Sequence, residues 1–215
     1  MPAIHTLHID RPILEPDLAY VEGRAQLVGH TDAELVGQVA SVIGIGHHWD
    51  AERFGRFPDL RVISRMGIGY DNVDLDAARA AGVVVCNGPD SPTVSTAEHT
   101  MMLLLAVTKE LSIQQARAAE GMGGPAVATS LELDGSTLGL VGLGRIGVRV
   151  ARAALGLGMR VIANDPGIEQ SPIDDVELVG LDVLFATSHV ISLHAPSIPA
   201  TRHMINAKSI ASMRR

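Results

Sequence analysis

A two-part α/β fold, each part a mostly parallel sheet covered by helices, is what this sequence predicts, and three observations carry it. Short β-branched runs alternate with helical segments twice along the chain, over residues 4–87 and again over residues 138–194. The second alternation opens on an apolar strand that runs straight into G-L-G-R-I-G at residues 142–147. Between the alternations lies one long apolar helical stretch, so the chain reads as a domain over residues 1–92 and a second over residues 93–215. Parallel sheets are buried on both faces, which explains why the predicted strands are continuous apolar runs.

In order, residues 4–9, 25–30, 41–46, 61–65 and 83–87 read as strands, with helices over 32–39, 49–57 and 75–81. Pro89 and Pro92 then punctuate a turn. The longest helix follows over residues 94–120, and Ser95 with Glu98 forms an S-x-x-E capping box at its start. The run of residues 101–105 is apolar on every side, which predicts burial nearly all round, against another domain or a second subunit. After a glycine-rich connection at residues 121–124 come strand 138–142, helix 146–157, strand 160–164, a helical stretch 173–188, strand 190–194 and a short helix 207–213.

Composition narrows the class of function. The 215 residues are 47% hydrophobic and 19% charged, which suits a globular chain of one or two domains, and 3% aromatic residues leave the core to aliphatic side chains. A net charge of -7 without a basic stripe argues against nucleic acid as a partner. The opening MPAIHTLHID lacks the basic and apolar regions of a signal peptide, and residues 101–107 are too few to span a bilayer. The one cysteine, Cys86, cannot form an internal disulfide, in keeping with the cytoplasm. Its V-V-V-C context predicts a buried small hydrophobe.

The glycine motif carries chemistry because its context is right on both sides. Gly142 permits a tight turn, Gly144 lets backbone approach a pyrophosphate, and Gly147 lets helix and strand pack closely. Arg145 and Ile146 complete the loop, and the helix that follows offers its N–H groups to the phosphates. Asp165 lies 18 residues past Gly147 at the end of the next strand, where a carboxylate accepts from ribose hydroxyls and repels a 2′-phosphate. NAD is therefore the expected cofactor. Counted from Leu138, this Rossmann-type domain supplies three strands and then one helix, so only its first half is expected and the fourth strand is missing.

The segments V-I-S-R-M-G-I-G-Y-D-N-V-D (62–74), N-G-P-D-S-P-T-V-S-T-A-E-H (87–99), residues 138–147, V-I-S-L-H-A-P (190–196) and T-R-H-M-I-N (201–206) together resemble the D-isomer-specific 2-hydroxyacid dehydrogenases, and most nearly the D-3-phosphoglycerate dehydrogenase type. The resemblance implies a flavodoxin-like N-terminal substrate domain and an NAD-dependent interconversion of a D-2-hydroxy acid and a 2-oxo acid. It implies that the amides of Gly67, Ile68 and Gly69 bind the substrate carboxylate, as converging backbone N–H groups do for anions. Thr96 and the His194, Ala195, Pro196 stretch would line the cofactor site, and the long helix would build a homodimer. The catalytic Arg, Glu and His of the family would fall beyond Arg215, so the chain is expected to be truncated and inactive alone. No metal is called for. A non-catalytic NAD-sensing module of the corepressor kind stays open as the alternative.

Overall fold

The computed structural model describes residues 5–9, 15–27, 41–44, 46–122 and 130–214. The chain divides into two compact units, Met1–Pro92 and Thr93–Arg215.

In the first unit β1 (His5–Ile9), α1 (Glu15–Val21), β2 (Ala25–Leu27), β3 (Ser41–Gly44), α2 (Ala51–Gly55), β4 (Val62–Arg65), α3 (Leu75–Ala80) and β5 (Val84–Cys86) follow one another. The strands form one parallel sheet in the order β2-β1-β3-β4-β5. Val42 and Ile63, central in that order, bury against Trp49, Phe54, Phe57 and Leu60. Aspartates start two of the helices: Asp50 accepts from Arg53 N–H at α2, and Asp74 accepts from the N–H groups of Asp76 and Ala77 at α3. Trp49, expected in the helix, instead bridges to Val73 in a parallel pairing and carries the Arg53 guanidinium 4.9 Å above its ring. Helix α1 was not foreseen, and the helix expected over residues 32–39 lies outside the described residues. Cys86 is exposed rather than buried, because β5 is the edge strand of the sheet and leaves a flank uncovered within this unit.

The second unit opens on α4 (Thr93–Thr108) and α5 (Leu111–Ala119), then β6 (Thr137–Val141), α6 (Arg145–Gly156), β7 (Arg160–Asn164), β8 (Val176–Leu178), α7 (Leu181–Thr187), β9 (Val190–Leu193) and α8 (Ala207–Ser212). The single long helix expected here is broken at Glu110, whose backbone is left-handed at φ 53 and ψ 41. The capping box does not stand at the start either. The helix begins at Thr93, directly after Pro92, so Ser95 is already inside its first turn. Only one stripe of α4, Thr93, Ala97, Leu104 and Thr108, is buried, while Met102, Leu103, Leu105 and Val107 are exposed. His99, expected to pack, is exposed as well.

The stretch 173–188 is not one helix but β8 followed by α7. A three-residue strand is too short to reveal a period, and its outward Glu177 pairs with Arg160 on β7 at 2.8 Å. Adding β8 changes the strand count. The parallel sheet runs β8-β7-β6-β9, which is 3-2-1-4 in a doubly wound fold, so β9 is the fourth strand that the sequence reading declared missing. The point where strand order reverses, between β6 and β9, is therefore present. Its floor is β6, all five residues of which are buried.

Candidate cofactor and anion sites

At the reversal point the glycine loop leaves β6. Gly142 has φ 97, and its N–H donates to Asn164 O at 2.8 Å. A Cβ there would stand 2.7 Å from His194 O and 2.8 Å from the His194 carbonyl carbon, so glycine is required by both conformation and close approach. A Cβ on Gly147 would collide with Gly142 O, which is why the first turn of α6 can lie against the strand end. Gly144 is different: it is the N-cap of α6, no side chain caps the helix, and an added Cβ there would meet open space. Leu143 packs into the core beneath, with Leu140, Val150 and Ala151. The loop thus presents an uncapped end of a twelve-residue helix to an open approach.

Asp165 sits half-buried just past β7 and is committed to the loop. Its Oδ2 accepts from Leu143 N–H at 2.8 Å and its Oδ1 from Gly167 N–H at 2.9 Å. Each carboxylate oxygen has a second lone pair, so ribose hydroxyls remain within its capacity. The clasp on Leu143 was not legible in the sequence, since it joins residues 22 apart through one backbone amide.

On the other side of the reversal, His194 N–H donates to Val141 O at 2.7 Å, and its Nε2 lies 3.0 Å from Ser192 Oγ. Burial lowers the pKa of this imidazole from its ordinary value. Beyond it, an open cleft of about 540 Å³ is lined by Leu193, Ala195, Pro196, Arg202 and Met204, among others. Thr201 orders this segment by donating to Pro196 O at 2.5 Å and accepting from Ile198 N–H at 3.0 Å. Gly142, Gly147, Asp165 and His194 are therefore brought together. Arg145 and Ile146 open α6, with Arg145 exposed. Thr96 stands half-buried on α4, next to Ala97, which shares a core cluster with Leu143.

The second glycine turn lies in the first unit, at the carboxyl end of β4. None of its glycines has a positive φ, and a Cβ on Gly67 would meet nothing within 4 Å. Its carbonyls are gripped from outside: Gly67 O by Gly88 N–H at 3.2 Å, Ile68 O by Asn87 Nδ2 at 3.0 Å, and Gly69 O by Arg65 Nε at 3.1 Å. The Arg65 guanidinium also reaches Gly44 O at 3.1 Å. Both partners of the Arg65 side chain are backbone carbonyls that no motif encodes. Two other histidines take part in hydrogen bonds within the fold. His189 Nδ1 accepts from Thr137 N–H at 2.9 Å, and His47 O accepts from Asn72 Nδ2 at 2.5 Å. Among the described residues no cluster of His, Cys, Asp or Glu is arranged to hold a metal ion.

A doubly wound sheet with a glycine cradle, an uncapped helix end and a carboxylate at the next strand defines a dinucleotide-binding protein. Comparison with known proteins makes the class narrower. Residues 101–215 match the NAD-binding domain of the D-isomer specific 2-hydroxyacid dehydrogenases, and the chain belongs to that family. The cofactor of this domain is NAD, and the cradle fits it. A hydroxypyruvate reductase of Thermotoga maritima is 42% identical over 156 residues, which cover 73% of this chain and 51% of that protein. A D-3-phosphoglycerate dehydrogenase of Mycobacterium tuberculosis is 38% identical over 186 residues, 86% of this chain and 34% of that protein. The chain thus spans about half the length of the first relative and a third of the second. Among solved structures, the TT0316 protein of Thermus thermophilus superposes with a TM-score of 0.88 at 33% identity, covering 98% of this chain and 71% of that one. A D-lactate dehydrogenase of Aquifex aeolicus, solved with NAD and lactic acid, gives 0.86 at 28% identity, covering 98% and 66%.

Proposed function

We propose that this chain serves an NAD-dependent dehydrogenase that interconverts a D-2-hydroxy acid and a 2-oxo acid. The observation that carries the reading is the cradle at the strand-order reversal, where Gly142, Asp165 and His194 are locked together in a family of 2-hydroxyacid dehydrogenases. NAD, when bound, supplies the hydride acceptor. Gly144 and the start of α6 (Arg145, Ile146, Gly147) hold the pyrophosphate on backbone N–H groups and the helix dipole. Asp165 accepts from ribose hydroxyls while keeping the loop closed. Thr96 and the His194, Ala195, Pro196 segment border the cofactor, with the adjoining cleft giving space beside Ala195 and Pro196.

The first unit is the substrate domain in this reading. Its strand order 2-1-3-4-5 supports a flavodoxin-like fold, in which ligands bind outside the carboxyl ends of the strands, and the turn at Gly67, Ile68 and Gly69 stands at that edge. The exposed Met102, Leu103, Leu105 and Val107 of α4 form the homodimer face, so the double substitution Leu103→Glu, Val107→Glu should shift sedimentation toward the monomer. Among the described residues no helix is long and apolar enough to cross a membrane. A reducing cytoplasm suits the free, exposed Cys86.

The test is a side-by-side assay of residues 1–215 and the full gene product with NADH, NADPH and a panel of 2-oxo acids. Both should bind NADH in preference to NADPH, and the full product should turn over. Residues 1–215 alone should bind without turnover, because no residue here is assigned the acid–base role. NADH binding with no turnover of any acid by the full product would favour the NAD-sensing module. Loss of NADH binding by both would end the reading.

A further inference from the structure

The turn at Gly67–Gly69 is braced rather than merely flexible, and the brace decides which amides face outward. Peptide units are planar, and among the described residues none is cis, so each carbonyl points opposite to the N–H of the next residue. Gripping Gly67 O therefore fixes the N–H of Ile68. Gripping Ile68 O through Asn87 Nδ2 at 3.0 Å fixes that of Gly69, and gripping Gly69 O through Arg65 Nε at 3.1 Å fixes that of Tyr70. Among the described residues none of these three N–H groups donates to an acceptor. The Arg65 guanidinium, tied also to Gly44 O at 3.1 Å, joins the ends of β3 and β4 and places a positive charge behind the turn.

We infer that Arg65 and Asn87 are positioning residues: they aim the amides of Ile68, Gly69 and Tyr70 at the carboxylate common to every 2-hydroxy acid. The braced donors are the amides of Ile68, Gly69 and Tyr70, and the brace, not a contact to the substrate's side chain, is what Arg65 contributes. The inference rests on the dehydrogenase reading, and its tests separate the two.

In the full gene product, Arg65→Ala and Asn87→Ala are each expected to raise KM roughly tenfold, as loss of one hydrogen bond to a charged-ligand site does. The factor should be the same for D-lactate, D-glycerate and D-3-phosphoglycerate, with NADH affinity unchanged and kcat less affected. Arg65→Lys should fall between, since one ammonium cannot reach both carbonyls. A KM loss confined to the phosphate-bearing acid would overturn the inference, because Arg65 would then touch the side chain. So would unchanged KM values on all three. If Arg65→Ala lowers the unfolding midpoint, Asn87→Ala, whose bond is exposed, carries the test. In 15N-labelled protein, pyruvate should shift the amide resonances of Ile68, Gly69 and Tyr70; shifts at Gly67 without these would also overturn it. Absence of turnover on every acid would defeat the dehydrogenase reading, leaving the resonances to judge the amides.

Discussion

Two glycine turns leave parallel strands at the carboxyl edges of two sheets, and they need glycine for opposite reasons. At Gly142 and Gly147 the protein itself fills the space that a side chain would take: His194 O and Gly142 O stand there. At Gly67 nothing within 4 Å competes for that space, and the backbone is not left-handed. The first turn is glycine because the fold demands it. The second has room to spare on its open side, and in the proposed function the demand there comes from the ligand.

Substitution should separate the two. Gly142→Ala combines a positive φ with a backbone collision and should cost about 3 kcal/mol or more, lowering the unfolding midpoint and abolishing NADH binding together. Gly67→Ala should change stability by no more than ~0.5 kcal/mol, yet raise KM for 2-hydroxy acids by more than about tenfold with NADH affinity intact. Equal destabilisation by both, read by urea denaturation, would erase the distinction.

The same contrast explains what was legible in the sequence. The Gly142–Gly147 loop announces itself because turn and packing require glycine at fixed spacing, and Asp165 follows one strand later. Both sheets were foreseen from alternation alone. What escaped were features set by distant or very short pieces. Strand β8 is three residues, so the fourth strand was miscounted. The break at Glu110 carries no Gly or Pro to mark it. The grips of Arg65, Asn87 and Gly88 on the first-unit turn depend on strand neighbours, not on local pattern.

A smaller effect tests Asp165, which holds the loop and to which the proposed function also gives the ribose hydroxyls. Engineering by charge alone would predict that Asp165→Ala welcomes NADPH. The clasp on Leu143 N–H at 2.8 Å and Gly167 N–H at 2.9 Å predicts otherwise. Removing an ionised acceptor of two amides should cost about 1.5–3 kcal/mol, so NADH affinity should fall roughly tenfold to a hundredfold while NADPH gains little. Tighter NADPH binding at unchanged stability, followed by calorimetric titration, would reduce Asp165 to a charge filter.

The smallest effect belongs to His194, on the far side of the same cradle. Its pKa is lowered by burial, so the folded protein holds the imidazole neutral more strongly than the unfolded chain does. The unfolded state then binds more protons near the ordinary histidine value of about 6.5. By linkage, this contribution to stability is complete above that pH and is lost as pH falls through the lowered folded value. His194→Gln keeps a polar side chain beside Ser192 without titrating in this range. Urea midpoints measured from neutral pH downward should therefore fall less steeply for His194→Gln than for the wild type. Parallel pH profiles for the two proteins would show that the switch-point imidazole gains nothing from being neutral, and would leave its backbone bond to Val141 O as its whole part in the cradle.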